Sequence, residues 1–135
     1  MKARAKGAKR ILEVQKHLHD LAESKYLQIK QKLEACKQDE RELANALSDE
    51  GALHGLFIDV TVKRLAAVRQ EARSIEGELQ QSARAVLEQG GRVRNARRLV
   101  ENLEVEVRRL DERNDLEAML EVQLARGSAS LKQDG

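Results

Sequence analysis

The chain has 135 residues, a formal net charge of +2 and 36% charged residues, but no Pro, no Trp, one Tyr and one Phe. So few bulky side chains cannot fill the core of an ordinary globular domain, whereas this Ala-, Glu-, Leu- and Arg-rich composition is typical of long helices. Composition therefore excludes a large aromatic core and favours an elongated helical protein.

Residues 1–8 carry Lys2, Arg4 and Lys6 and no apolar run, so they predict a flexible basic arm and no secretory signal peptide. No stretch of the chain approaches the ~18–20 apolar residues that a membrane span needs. Cys36 falls on an apolar stripe, where a thiol acts as a small buried hydrophobe. We therefore expect a cytoplasmic protein without a membrane span.

The first predicted helix spans 9–48, with apolar residues recurring every three or four positions. Its stripe begins with Ile11, Val14, Leu18 and Leu21. It then shifts by one position and continues through Ala22, Tyr26, Ile29, Leu33, Cys36, Glu40, Leu43 and Leu47. A shift of this kind alters the supercoil locally without ending the helix.

A reversal of the chain is predicted at 49–55. Ser48, Asp49 and Glu50 are followed by Gly51, and Gly55 comes four positions later. Glycine ends helices, and short polar residues favour turns. The second helix is therefore expected to begin at Leu56.

The second predicted helix spans 56–126 and carries a long heptad stripe, interrupted by Ser82 and Gln89. The stripe comprises Leu65, Val68, Ala72, Ile75, Leu79, Ser82, Val86, Gln89, Val93, Ala96, Val100, Leu103, Val107 and Leu110. A narrow stripe of this length is buried only against another helix. The register drifts near Asp111–Asp115, after which Leu116, Leu120 and Leu124 resume an apolar face. Residues 127–135 have no period and are expected to form a flexible tail.

Together these elements predict an all-α fold, in which residues 9–126 form one long antiparallel two-helix coiled-coil hairpin with a longer second helix. In such a hairpin the first helix would leave about 95–125 without an intramolecular partner, given 1.5 Å per helical residue. A three-helix bundle hinged at Gly90-Gly91 is the alternative, because adjacent glycines cost a helix roughly 2 kcal/mol. The unbroken phase of the stripe favours a continuous helix with the glycines facing outward.

Charge is unevenly distributed along the second helix. Four arginines, Arg92, Arg94, Arg97 and Arg98, are expected to meet the basic start of the chain as a basic collar, followed by an acidic stretch over 101–121. A basic collar can attract phosphate backbones. The absence of interleaved aromatics and the adjoining acidic stretch do not favour nucleic acid as the partner.

The sequence offers no catalytic or cofactor motif. His17 and His19 are two positions apart and point to different sides of a helix, while His54 stands alone in the predicted turn. Phosphate-binding glycine loops, nucleophile elbows and zinc-ligand spacings are absent. We therefore expect neither an enzyme nor a bound metal, cofactor or small-molecule substrate.

The order of these features resembles the FliJ/YscO family of type III export-apparatus proteins. The resemblance rests on a basic start, a first helix with a lone tyrosine, and the turn segment Gly51-Ala52-Leu53-His54-Gly55-Leu56-Phe57-Ile58. It continues in Arg97-Arg98-Leu99-Val100-Glu101-Asn102-Leu103 and in Leu110-Asp111-Glu112-Arg113-Asn114-Asp115. It covers most of 10–121.

The resemblance implies a cytoplasmic stalk, in either a flagellar or an injectisome system, that inserts into the hexameric export ATPase and stimulates it. It also implies contacts with the export gate protein and with secretion chaperones. Near the turn, Leu53, Leu56, Phe57 and Val60 would contact the gate. The remaining partner-binding residues would be Arg92, Arg94, Arg97, Arg98, Val100, Leu103, Val107 and Leu110.

The alternative function is a self-associating coiled-coil scaffold or regulator, in which the 95–125 stripe pairs with a second copy. Sedimentation distinguishes the two, because a stalk is expected to be largely monomeric and a scaffold dimeric at micromolar concentration.

Overall fold

The structure is a computed structural model that describes residues 2–49 and 55–134, with side chains described for 2–49 and 57–129. Within these residues the chain forms two helices and no strand: α1, Lys2–Ser48, and α2, Gly55–Asp134. The predicted all-α class, with a longer second helix, is confirmed. The fold is consistent with a helical hairpin.

Helix α2 continues through Gly90 and Gly91 without interruption. The structure therefore does not contain the alternative three-helix bundle with a reversal at this pair. Both glycines are half-buried, so the expectation that they face outward is wrong.

The helix ends differ from the predicted boundaries. Helix α1 begins at Lys2 rather than at residue 9, because Ala5 and Ala8 are buried and hold residues 2–8, part of the predicted flexible arm 1–8, in the helix. Helix α2 begins at Gly55 and ends at Asp134, beyond the predicted end at 126. No proline interrupts this last part. Most of the predicted turn, including Leu53, lies outside the described residues.

The chain divides into two compact units, of which one comprises Lys16–Arg92. Its core contains Leu33 and Cys36 from α1 and Ala72 and Ile75 from α2, with Ile29, Val68 and Leu79 packed around it. Glu40 pairs with Arg69 at 3.1 Å, and Lys37 pairs with Glu76 at 3.6 Å. Because later residues of α1 meet earlier residues of α2, the two helices are antiparallel here.

The other unit comprises residues 1–15 and 93–135. Its core joins Ala5, Ala8 and Leu12 of α1 to Ala96, Val100 and Leu103 of α2, flanked by Val93 and Val107. Lys9 lies 3.4 Å from Glu104, and Lys2 lies 3.9 Å from Asp111. The helices are antiparallel in this unit as well, and small alanines allow them to approach closely.

The stripe predicted for α2 is confirmed by burial from Leu65 to Val107, whose members are buried or half-buried. The stripe predicted for the start of α1 is wrong, since Ile11, Val14, Leu18 and Leu21 are exposed. The buried or half-buried positions include Ala5, Ala8, Leu12, Gln15, His19, Ala22, Tyr26, Ile29, Leu33, Cys36, Glu40, Leu43 and Leu47. These alternate in steps of three and four, so the predicted one-residue shift does not occur.

Candidate partner-binding surfaces

The predicted gate-contact residues lie at the start of α2. Phe57 and Val60 are exposed, with 60% of the Phe57 surface accessible. Leu56 belongs to α2, but its side chain lies outside the described ones, as does Leu53 entirely. The side chains of Phe57 and Val60 are therefore accessible to solvent. Their role as gate contacts stays a prediction.

The four predicted arginines, Arg92, Arg94, Arg97 and Arg98, are all exposed on α2. Arg92 belongs to the unit 16–92, whereas the other three belong to the unit that contains the start of α1. In that unit Lys9 and Lys2 pair with the acidic Glu104 and Asp111. Lys2 and Lys9 therefore lie beside acidic side chains, so for these two residues the expected basic collar with the arginines is wrong.

These two ion pairs contribute little to stability. The side chains of Lys2 and Asp111 are 79% and 52% exposed, and those of Lys9 and Glu104 are also largely in solvent. Exposed pairs of this kind contribute about 0–1 kcal/mol each. The apolar core around Val100 therefore stabilises the helix pair, while the charged side chains lie on its surface.

The predicted partner residues Val100 and Leu103 are buried against α1, and Val107 is half-buried beside them. The expectation that 95–125 lacks an intramolecular partner is wrong for its first part, because α1 has additional turns at 2–8 and Lys9 lies beside Glu104. Leu110 remains exposed at the edge of this core. The scaffold alternative loses Val100 and Leu103 as accessible contacts.

Beyond Asp111 the side chains of α2 are no longer covered by α1. Every described side chain from residue 112 to 129 is exposed. Large apolar residues recur here: Leu116, Met119, Leu120, Val122 and Leu124. The sequence shows the spacing of Leu116, Leu120 and Leu124. Only the structure shows that they are exposed, whereas the stripe residues up to Val107 are buried or half-buried.

Cys36 is buried in the core of the unit 16–92, as the sequence predicts. Its Sγ donates a hydrogen bond of 3.4 Å to the Val68 carbonyl oxygen. Desolvation raises the pKa of the thiol above its ordinary value, and the nearby carboxylates of Glu71, Asp39 and Glu40 raise it further. This environment favours the protonated thiol over a nucleophilic thiolate.

Among the described residues, one group has the geometry to hold a metal ion: His19, Asp20 and Glu23. His19 Nε2 lies 3.5 Å from Glu23 Oε1. Sequence reasoning compared His19 only with His17 and missed this His-Asp-x-x-Glu spacing. Both carboxylates are exposed, and exposed acidic groups of this kind are common on helices without a metal.

An open groove of about 770 Å³ lies at the start of α1. Ala5 and Val107 form part of its apolar lining, and Lys2, Lys6 and Arg108 stand at its edge.

Within the described residues, neither helix has a segment both long and apolar enough to cross a lipid bilayer. No protein-family model, curated protein or solved structure matches this chain. The resemblance to the FliJ/YscO family stays a prediction from the sequence.

Proposed function

We propose that this chain is a cytoplasmic stalk or adaptor component of a type III protein export apparatus, which inserts into the hexameric export ATPase and stimulates it. Contacts with the export gate or with secretion chaperones are part of the same proposal. A stalk needs a stiff body and charged side chains around its circumference, and it needs no catalytic site of its own.

The observation that carries the proposal is the antiparallel helix pair formed by residues 2–15 and 93–111. Its core is apolar and continuous from Ala5 to Leu12 on α1. Arg94, Arg97 and Arg98 project from α2 into solvent around this core. These guanidinium groups can form bidentate pairs with carboxylates of loops that line a ring.

The test is the ATP hydrolysis rate of the export ATPase encoded nearest this gene, titrated with the purified chain. We expect a saturable rise in rate accompanied by hexamer formation. A variant with Arg94→Glu, Arg97→Glu and Arg98→Glu should stimulate less, because like charges would then face the ring, while its helical circular dichroism stays unchanged.

The matched control carries the same charge change at Arg64, Arg73 and Arg84, which are also exposed on α2. This control should stimulate as the unmodified chain does. Equal stimulation by both triple variants would remove the three arginines from the mechanism. No stimulation of a competent ATPase by the unmodified chain would refute the proposed function.

A further inference from the structure

The last part of α2 presents an apolar face that α1 does not cover. Leu116, Met119, Leu120 and Leu124 are each more than half exposed, up to 72% for Leu124. Their spacing places them on one side of the helix, since residues three and four apart are neighbours on its surface. Single exposed leucines are ordinary, but a contiguous group at helical spacing marks an interaction site. We call these four residues the distal face.

The distal face does not continue the stripe that packs against α1. Steps of three and four from Val107 and Leu110 lead to Asn114, Glu117 and Glu121. These positions are polar and exposed. Leu116 and Leu120 lie on the neighbouring side of α2, so a longer α1 in the same register would not bury them. The distal face is therefore suited to a different helix.

Charges beside the distal face indicate which helix fits. Glu117 and Glu121 are one turn apart and flank Leu120 and Leu124 on one side. Asp115 lies on the other side, Glu112 lies one turn before Leu116, and Arg113 and Arg126 stand near the ends. The flanks are therefore predominantly acidic, and charges in flanking positions decide which helices pair.

A second copy of the chain fits this surface poorly. In an antiparallel pair centred on the distal face, Glu117 of one copy would lie near Glu121 of the other. In a parallel pair, the side with Glu117 and Glu121 would face the opposite side of the other helix, where Asp115 adds a like charge and Arg126 an opposite one, so this pairing gains less than a helix with basic residues on both sides. Like charges at these positions oppose association, whereas Lys or Arg would be attracted.

We propose that the distal face binds an amphipathic helix of another protein, one that carries a three-four apolar stripe flanked by Lys or Arg. The apolar stripe supplies affinity by burying Leu116, Met119, Leu120 and Leu124. The basic flanks pair with Glu117 and Glu121 and supply selectivity. This inference does not rest on the proposed ATPase function, and its test uses neither the ATPase nor the export gate.

The test uses the full chain and two labelled synthetic helical peptides of about 21 residues, long enough to form a helix when bound. Both carry Leu at the stripe positions, and the flanks are Lys in one and Glu in the other. Fluorescence anisotropy at about 0.15 M salt measures binding. We expect saturable binding of the Lys peptide, at least about tenfold tighter than that of the Glu peptide.

Two pairs of variants locate the binding. Leu116→Asp with Leu120→Asp should abolish it, whereas Leu87→Asp, at an exposed leucine elsewhere on α2, should not. Glu117→Lys with Glu121→Lys should reverse the preference between the peptides. The same charge change at the exposed Glu34 and Glu88 should leave the preference intact.

Several results would overturn the proposal. These are equal affinity for both peptides, binding that survives Leu116→Asp with Leu120→Asp, or no binding of the Lys peptide. Sedimentation of the chain alone provides a further check. A dimer that Leu120→Asp dissociates would show that a second copy occupies the distal face instead.

Discussion

Cys36 illustrates how one side chain serves the core and is kept from reacting. The thiol belongs to the core of the unit 16–92, together with Leu33 and Ile75, and donates a hydrogen bond to the Val68 carbonyl oxygen. Desolvation, followed by the nearby Glu71, Asp39 and Glu40, raises its pKa above the ordinary value of a thiol. Because the folded state holds this pKa high, the stability that the thiol contributes is present at lower pH and is lost as pH rises through the raised pKa.

We therefore predict slow alkylation of Cys36 at pH 8. The control places an exposed thiol on the same chain, as Leu87→Cys in a Cys36→Ala background, since 73% of Leu87 is accessible. Native Cys36 should react at least about tenfold more slowly than this exposed thiol, because the thiolate is the nucleophile. Guanidinium chloride should remove the difference. Equal rates in the folded chains would contradict the burial described for Cys36.

At the scale of the helix, the sequence predicts α2 well and the start of α1 poorly. In α2, apolar residues occupy nearly every stripe position, so the heptad count finds the buried side. In α1, the buried or half-buried stripe positions before Ala22 are His19, Gln15, Leu12, Ala8 and Ala5, mostly small or polar. Ile11 and Val14 are more hydrophobic than most of these residues, so a count of hydrophobic residues selects the exposed side of α1. Extending the steps of three and four backward from Leu33 would have found the buried positions.

The sequence also predicted only part of the candidate surfaces on α2. Exposure of Arg94, Arg97 and Arg98 follows from their positions between stripe residues. The burial of Val100 and Leu103 could not be predicted, because it requires the additional turns of α1 around Ala5 and Ala8. The residue at which α1 begins, Lys2, also determines where the uncovered part of α2 begins.

A second prediction concerns a glycine within the helix α2. Gly77 is exposed, and a Cβ added there would contact nothing within 4 Å. Gly77→Ala should therefore raise the free energy of unfolding by ~0.5–1 kcal/mol, because alanine loses less backbone freedom on folding. Urea denaturation followed by circular dichroism measures this change.

The matched control is Gly127→Ala, which is equally open but lies close to the end of α2 at Asp134. Helix ends fray, so this substitution should change the urea midpoint less. A Gly77→Ala variant with an unchanged or lower midpoint would show that α2 is not regular helix at this position.

At the scale of the whole chain, the unequal helices determine which parts of α2 are covered. Helix α1 has 47 residues and α2 has 80. Lys2, where α1 begins, pairs with Asp111 of α2. Before this point α2 offers charged side chains around a covered core, and after it α2 offers the uncovered distal face. The two proposals therefore concern separate residues and can fail independently.

This arrangement depends on the first turns of α1 being packed rather than free. Ala8 is 4% exposed, in a core with Val100 and Leu103, whereas Ala3 is exposed on the same helix. Ala8→Asp should lower the free energy of unfolding by about 2 kcal/mol or more, because it buries an unpaired carboxylate. Ala3→Asp should be neutral or slightly stabilising, since an acidic side chain near a helix N-terminus interacts favourably with the helix dipole. Urea denaturation of the two variants distinguishes a packed start of α1 from a flexible arm. Equal stability would mean that residues 1–8 form the flexible arm that composition alone predicts, and that the uncovered part of α2 begins closer to Val93 than to Asp111.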